Sequence, residues 1–388
     1  MLKPMKNVLV ASLVLGLSAL AQAQTASTPV VPAAPQIAAS SYILMDANSG
    51  QVLIEHNADE RLPPASLTKM MTSYIGSLEL LEGRISEQDE VLVSEKAWRK
   101  GGSKMFIEVG DRVPFIDLKR GVIIQSGNDA SIAMAEHIAG SEDAFAGLMN
   151  SHAQRLGMRD TNFTNSTGWP DDAMYSSARD MAILAQAVIR DDQQYYEIYK
   201  EREFTWNGIR QSNRNRMLWR DSSVDGLKTG HTEAAGYCLV ASAEREGMRL
   251  ISVVMGTSSD QVRTAETQKL MTWGFRFFET RDFYQPGEVL ATPRVWAGVD
   301  NQVRAGLADG LLLTLPRGQA DNLQASVSLK STLRAPIVVG DELGEVEVRM
   351  GDEVVHRAPL VALADVERAG IFGRLWDGLR LFFYGLFN

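Results

Sequence analysis

Apolar residues recur along this chain with two different periods, and the changes of period mark its parts. Ser41 to Asp46 and Gln51 to Glu55 are short apolar segments on either side of Ala47-Asn48-Ser49-Gly50, which predicts a hairpin. Met70-Met71-Thr72-Ser73-Tyr74-Ile75 comes soon after Pro63-Pro64 and predicts a helix. From Leu118 to about Ile189 the spacing is helical, interrupted at Ser126, at Gly140 and through the polar stretch Asn162 to Asp172. Val224 to Thr232, Tyr237 to Ala243 and Arg249 to Met255 are divided by a turn at Gly236 and by Glu244-Arg245-Glu246-Gly247, the pattern of an antiparallel meander. A helix from Arg263 to Phe278 closes this unit. The expected fold class is therefore α/β (α+β): an antiparallel sheet flanked by helices, with a helical subdomain inserted between its strands.

Beyond Thr280 the texture changes to short alternating segments, such as Leu311 to Leu315, Ala325 to Leu329 and Val346 to Met350, which turns at Gly351-Asp352. They predict a small all-β second domain. Nothing in it forms a catalytic constellation, so its expected role is that of a spacer or a partner-binding platform.

Both ends carry separate signals. Lys3 and Lys6 precede an apolar stretch from Val8 to Leu20 and the small-x-small sequence Ala21-Gln22-Ala23, the pattern of a cleaved export signal that leaves Gln24 first. Thr25 to Pro35 is a tether rich in small residues and proline. At the other end, at ~100° per residue, Ile371, Phe372, Leu375, Trp376, Leu379, Phe382, Phe383, Leu386 and Phe387 share one arc. Arg374, Asp377, Arg380 and Asn388 lie opposite, and Leu381 is the large apolar exception. Charges spread through the segment make it a poor membrane span, whereas its wide apolar face suits a helix lying flat in the headgroup region. The competing expectation is a terminal helix packed on the β domain. The parts are then a signal peptide (1–23), a linker (24–38), a main domain (39–280), an all-β domain (281–368) and an amphipathic membrane-anchoring helix (369–388).

Charge and composition narrow the function. The formal charge is -9, and loss of Lys3 and Lys6 with the leader brings it to about -11, which disfavours nucleic acid. Cys238 is the single cysteine and lies in an apolar run, so it reads as buried core with no disulfide to make. His56, His137, His152, His231 and His356 are scattered, with no metal-ligand spacing, and no glycine-rich phosphate loop is present. Neither a metal nor another cofactor is expected.

The candidate chemistry begins at Ser66-Leu67-Thr68-Lys69. Helix positions i and i+3 share a face, so a lysine amine sits beside a serine hydroxyl, and burial or nearby positive charge can lower the amine pKa until it accepts the hydroxyl proton. Two more short sequences follow in order. Ser126-Gly127-Asn128 lies on a corner between helices, where Ser126 is placed to relay a proton and Asn128 to hold a substrate amide. Lys228-Thr229-Gly230 lies in the first meander strand, where Lys228 adds positive charge and Thr229 can bond a carboxylate. Gly230 there permits a peptide to approach the strand edge closely.

Ser-x-x-Lys, Ser-Gly-Asn and Lys-Thr-Gly in this order resemble the set shared by penicillin-binding proteins and serine β-lactamases, and the glycine of the middle triplet resembles that of low-molecular-mass carboxypeptidases. Tyr175 to Met181, Asn207-Gly208-Ile209-Arg210-Gln211, Val224-Asp225-Gly226 and Thr272 to Phe278 extend the resemblance to the D-alanyl-D-alanine carboxypeptidases over nearly the whole mature chain. That resemblance implies a penicillin-binding, β-lactamase-like transpeptidase domain followed by the all-β domain. It implies removal of the terminal D-alanine from peptidoglycan stem pentapeptides through an acyl-enzyme on Ser66, acylation by penicillins and other β-lactams, and a part in cell wall biogenesis and cell shape. Lys69 would be the base, Ser126 and Lys228 would carry a proton to the leaving amine, and Asn128 would orient substrate. The backbone N–H groups of Ser66 and His231 would hold the oxyanion, the His231 imidazole being a partly exposed side chain at a strand end. Arg214 and Arg263 match arginines placed near the leaving carboxylate. The implied location is the periplasmic side of the cytoplasmic membrane, peripheral.

Two rivals remain. A serine β-lactamase commonly carries an extra glutamate on a loop ahead of the Lys-Thr-Gly strand, and 162–172 contains none, so slow turnover of penicillin is expected. A non-catalytic penicillin-binding wall scaffold would have no need to keep Ser66, Lys69, Ser126, Asn128 and Lys228 together.

Overall fold

The computed structural model describes residues 31–387, with side chains described through Leu381. The export signal at 1–23, the first part of the tether and the last residue lie outside the described residues, as do the terminal aromatic side chains from Phe382 onward. One five-stranded antiparallel sheet forms the centre, in the order Val52–His56, Ser41–Asp46, Met248–Thr257, Gly236–Arg245, Val224–Thr232. The early hairpin thus joins the late meander, and Val224–Thr232 is left as an edge strand. The turn between Gly236–Arg245 and Met248–Thr257 has positive φ at Glu246 (51°) and Gly247 (79°), the geometry that a tight hairpin twist requires.

Except for the outer strand Val52–His56, the strands are buried on both faces, which is why the sequence shows apolar runs as well as alternation. Ile43, Met45, Val240, Ile251 and Val253 face a block of helices, while Leu44, Leu239, Ala241, Leu250 and Val254 face Leu270, Met271 and Phe275 of the Asp260–Phe277 helix. Cys238 packs on the helical-block side, fully buried, and burial pushes its thiol up to about 11. Lys228 lies opposite Val240 and Gly230 opposite Cys238 in the ladder. Directly paired residues of an antiparallel sheet project to the same face. Lys228 is therefore directed toward the helical block.

That block is built around the helix Lys69–Leu81, whose residues from Lys69 to Ser77 are all buried. It packs on Asn128–Ala139, Glu142–Leu156 and Ala178–Asp191. Gly76 lets these helices meet closely, since a Cβ there would stand 2.8 Å from the Met134 methyl. Ser94, Ser141, Ser177 and Ser259 each cap a helix start through a side-chain bond to the third following N–H. Two short ribbons, Glu90–Leu92 with Arg112–Pro114 and Glu203–Trp206 with Ile209–Ser212, flank the block. Both are too brief for alternation to announce them.

Strand Phe278–Tyr284 leaves the Asp260–Phe277 helix directly and pairs with Leu311–Pro316. A second five-stranded sheet follows with its own core of Val295, Leu313, Val346, Val348 and Leu360 among others. The Ser49 and Thr314 hydroxyls meet at 2.6 Å, and Thr280 bonds Asp46, so the first hairpin also braces the β domain.

The chain ends in the helix Ile371–Phe387. Asp377 accepts a bond from the Ala297 N–H at 2.9 Å and lies 3.7 Å from Arg294. Phe372, Leu375 and Trp376 on the opposite face are 89%, 67% and 59% exposed. The helix therefore docks on the β domain by the side that carries Asp377. Among the described residues, no helix is long and apolar enough to cross a membrane.

Candidate functional site

Ser66 lies in a 3-10 turn, Ala65–Thr68, and the α-helix starts at Lys69. In a 3-10 turn, residues i and i+3 eclipse each other, which brings the pair closer than an α-helix would. Lys69 Nζ is 3.0 Å from Ser66 Oγ. Its other partners are the Asn128 Oδ1 at 2.7 Å and the Thr167 carbonyl oxygen at 2.6 Å. An ammonium donates to all three. A neutral amine has two N–H groups and one lone pair. Since the two carbonyl oxygens only accept, they take the two N–H groups, and the lone pair is left facing the one partner that has a proton to give, Ser66.

The electrostatics favour that neutral state. Lys69 is fully buried, and its pKa falls to about 7, chiefly through desolvation and then through the positive charge of Arg214. Asp129 and Glu142 oppose the shift, and Lys100 adds to it. Lys228 is 2% exposed and is held well below the ordinary lysine range by burial first, then by Lys69, Arg214 and Arg263. Its Nζ donates to Ser126 Oγ at 2.9 Å and to the Thr229 carbonyl at 3.1 Å. Ser126 adopts a left-handed conformation, φ 64°, where the π-helical turn Gly121–Gln125 ends and the Asn128 helix begins. The Ser-Gly-Asn corner is thus a backbone break that directs a hydroxyl at the edge strand.

Asn128 is engaged at both ends. Besides accepting from Lys69, it donates through Nδ2 to the Gly101 carbonyl at 2.7 Å. Gly102 packs against it, where a Cβ would stand 2.7 Å from Nδ2. The neighbouring Lys100 ammonium lies 4.4 Å from the centre of the Trp169 ring, so the 100–103 loop and the 168–172 loop meet over the site.

The Thr167 carbonyl was not singled out by sequence, because a carbonyl has no side-chain signature. Its loop is tightly organised: Asn165 Oδ1 accepts from the N–H groups of Thr167, Gly168 and Trp169. Ser166 donates through its N–H and its hydroxyl to Glu142, and its carbonyl accepts from Thr72. Ser166 and Thr167 are buried inside a stretch whose polarity reads as an exposed loop. Gly168, with φ +78°, passes so close to the Ser66 turn that a Cβ would stand 1.8 Å from the Ala65 carbonyl oxygen.

On the edge strand Thr229 is buried, and His231 is exposed with its ring 3.9 Å from that of Tyr237. Arg214 is exposed and donates to the Gln125 carbonyl at 3.0 Å. Arg263 is 6% exposed and mostly engaged by the sheet, donating to the Gly230 and Cys238 carbonyls and to Asp260. The two arginines nevertheless line one cavity of about 520 Å³ with Ser212, Trp219 and Asp260. A second cavity, about 240 Å³, runs from Pro64 and Ala65 past Trp169 and Asp171 to Thr232.

Comparisons with known proteins match both parts of the chain. The family model described as D-alanyl-D-alanine carboxypeptidase matches residues 25–259, and the model described as penicillin-binding protein 5, C-terminal domain, matches 278–368. The chain is 48% identical over 367 residues to the D-alanyl-D-alanine carboxypeptidase DacA of Escherichia coli strain K12, covering 92% of this chain and 91% of that one. Crystal structures of penicillin binding protein 5 from Haemophilus influenzae superpose with a TM-score of 0.84 at 44% identity, covering 87% of this chain and 99% of that one. Penicillin-binding protein D2 from Listeria monocytogenes in its ampicillin-bound form superposes with a TM-score of 0.58 at 29% identity, covering 62% and 100%.

Proposed function

This chain belongs to the D-alanyl-D-alanine carboxypeptidase family, and on that footing we propose that its activity runs through an acyl-enzyme on Ser66. The observation that carries the reading is the three-way coordination of Lys69 by Ser66, Asn128 and Thr167. The neutral amine takes the Ser66 proton as Oγ attacks the carbonyl of the penultimate D-alanine. The oxyanion forms between the backbone N–H groups of Ser66 and His231, fixed donors aimed where charge develops. As the C–N bond breaks, Ser126, bonded to Lys228, passes its proton to the leaving amine and is refilled with the proton that Lys69 took from Ser66, so Lys69 is a neutral amine again as free D-alanine departs. Water, deprotonated by Lys69, then hydrolyses the ester and restores Ser66.

The leaving residue ends in a carboxylate. Arg214, exposed in the larger cavity, meets it with its guanidinium and Thr229 with its hydroxyl. Arg263 sits in the same cavity wall but braces the edge strand and Asp260, so its contribution is charge and strand position. Asn128 keeps its amide on Lys69 and Gly101, and substrate binding would exchange one of these bonds for its own.

The substrates are peptidoglycan stem pentapeptides, with β-lactams as covalent inhibitors that acylate the same hydroxyl, in a role in cell wall biogenesis and cell shape. Residues 1–23 act as an export signal, 24–38 as a tether, 39–280 as the catalytic unit, 281–368 as a spacer or a partner-binding platform and 369–388 as a flat anchor on the periplasmic face of the cytoplasmic membrane. The anchor reading is supported by the exposure of Phe372, Leu375 and Trp376 while Asp377 docks inward.

Intact mass after brief exposure to benzylpenicillin tests the nucleophile. One adduct is expected on the unaltered protein and none on Ser66→Ala; an adduct on Ser66→Ala would overturn the reading. D-Alanine release from a Lys-D-Ala-D-Ala peptide separates the enzyme from a binding scaffold, and rapid hydrolysis of a chromogenic cephalosporin would favour a β-lactamase. Removing 370–388 is expected to leave peptide hydrolysis unchanged and to release the protein from membranes.

A further inference from the structure

Glu142 is a buried carboxylate with no part in the steps above. It opens the Glu142–Leu156 helix and is 6% exposed. Both of its oxygens are engaged: Oε1 accepts the N–H and hydroxyl of Ser166 at 3.2 and 2.8 Å, and Oε2 lies 2.9 Å from Lys96 Nζ. Burial pushes its carboxyl up, but the bonds from Lys96 and Ser166 outweigh this and hold it below the usual range. Ser166 precedes the residue whose carbonyl takes one Lys69 N–H, and its own carbonyl is fixed by Thr72, one helical turn from Lys69.

We propose that Glu142, paired with Lys96, is a positioning residue for Lys69: it pins Ser166 so that the Thr167 carbonyl is presented to the amine and the lone pair stays on Ser66. This rests on the reading of Lys69 as the base. A glutamate thus lies beneath the 162–172 loop, supplied by the adjoining helix. With its oxygens occupied by Ser166 and Lys96, it orients a base and does not activate water.

Glu142 also contributes to the field at Lys69. Charges acting on this amine come from Arg214 and Lys100 on loops, Asp129 on the Asn128 helix and Glu142 itself, while Lys69 in turn lowers Lys228 on the facing edge strand. Asp143 and Glu136 lie near enough to act on Lys96. Negative charge at 142 favours the ammonium, so removing it lowers the Lys69 pKa, and removing Lys96 raises it.

The test is the pH profile of the second-order acylation rate with benzylpenicillin on the full chain. Glu142→Gln is expected to move the acid limb down by roughly half a pH unit and to lower the plateau a fewfold. Lys96→Met is expected to move the limb upward. Glu142→Ala, which frees Ser166, should lower the plateau by about tenfold or more, the scale of a misplaced catalytic group. A Glu142→Gln limb that coincides with that of the unaltered protein would overturn the proposal, whether or not Glu142→Ala folds. Lys69→Met distinguishes the two readings. If it still acylates, the base assignment fails; if it does not, the Glu142 result judges this inference alone.

Discussion

Asn128 accepts from Lys69 through Oδ1 at 2.7 Å while its Nδ2 donates to the Gly101 carbonyl at 2.7 Å, so one amide ties the buried lysine to the loop over the site. An aspartate here would set a carboxylate against Lys69 and favour its ammonium. It would also turn an oxygen toward the Gly101 carbonyl. Asn128→Asp should therefore lose acylation at pH 7 by about tenfold or more and recover part of it at higher pH, because a neighbouring opposite charge raises a lysine pKa by about one unit or more. Acylation rates measured from pH 6 to 10 check this; a profile with an unmoved acid limb contradicts it.

The unaltered enzyme has its own pH signature. Desolvation, then Arg214, brings Lys69 to about 7. Below that value the amine is protonated and cannot take the Ser66 proton, so acylation should fall about tenfold for each pH unit and level off above it. An exposed lysine would place the same limb near its ordinary value of about 10.4. A fully active enzyme at pH 5 would mean that another group is the base.

Gly168 tests the architecture. A Cβ at this position would meet the Ala65 carbonyl at 1.8 Å and the Thr68 hydroxyl at 2.9 Å, and φ is +78°. The Ala65 carbonyl cannot move without shifting the turn that carries Ser66. Gly168→Ala should destabilise the domain by about 3 kcal/mol through overpacking and an unfavourable backbone conformation, and should abolish acylation. Thermal melting and penicillin labelling read the two effects separately, and near-normal labelling would show that the loop and the serine turn are independent.

The parts of this site that sequence made visible are those that depend on local spacing. Ser66 and Lys69 are three residues apart and a single turn joins them. The hairpin and the meander follow from alternation and turn residues, and they become one sheet because the Ser41–Asp46 strand pairs with both Val52–His56 and Met248–Thr257. Lys69 and Asn128 are 59 residues apart, and Lys228 and Ser126 are 102 apart. Only the family motif order made their meeting foreseeable. Thr167 acts through its backbone, and Glu142 resembles any acidic residue in a first helical turn. Arg263 matched a family position, but its burial and its two carbonyl partners on the sheet belong to packing that no spacing rule reports.

Asp377 shares the mounting of the terminal helix with the Ala369 N–H, which donates to the Ala297 carbonyl at 2.9 Å. The Asp377 carboxylate bonds the Ala297 N–H, at a residue held at φ 59°, and lies near Arg294, whose guanidinium stacks 4.0 Å from the Trp296 ring. The exposed apolar side chains point the other way. Burial of that face in a lipid surface depends on area, and one polar contact on the opposite side adds little to it. Asp377→Ala should therefore leave the fraction bound to vesicles unchanged while loosening the angle of the β domain to the helix. Hydrogen exchange at the Ala297 amide should accelerate, since its acceptor is gone. Should the variant leave the vesicles, the docked side of the helix would be part of the membrane contact, and the Asp377-inward arrangement would be wrong.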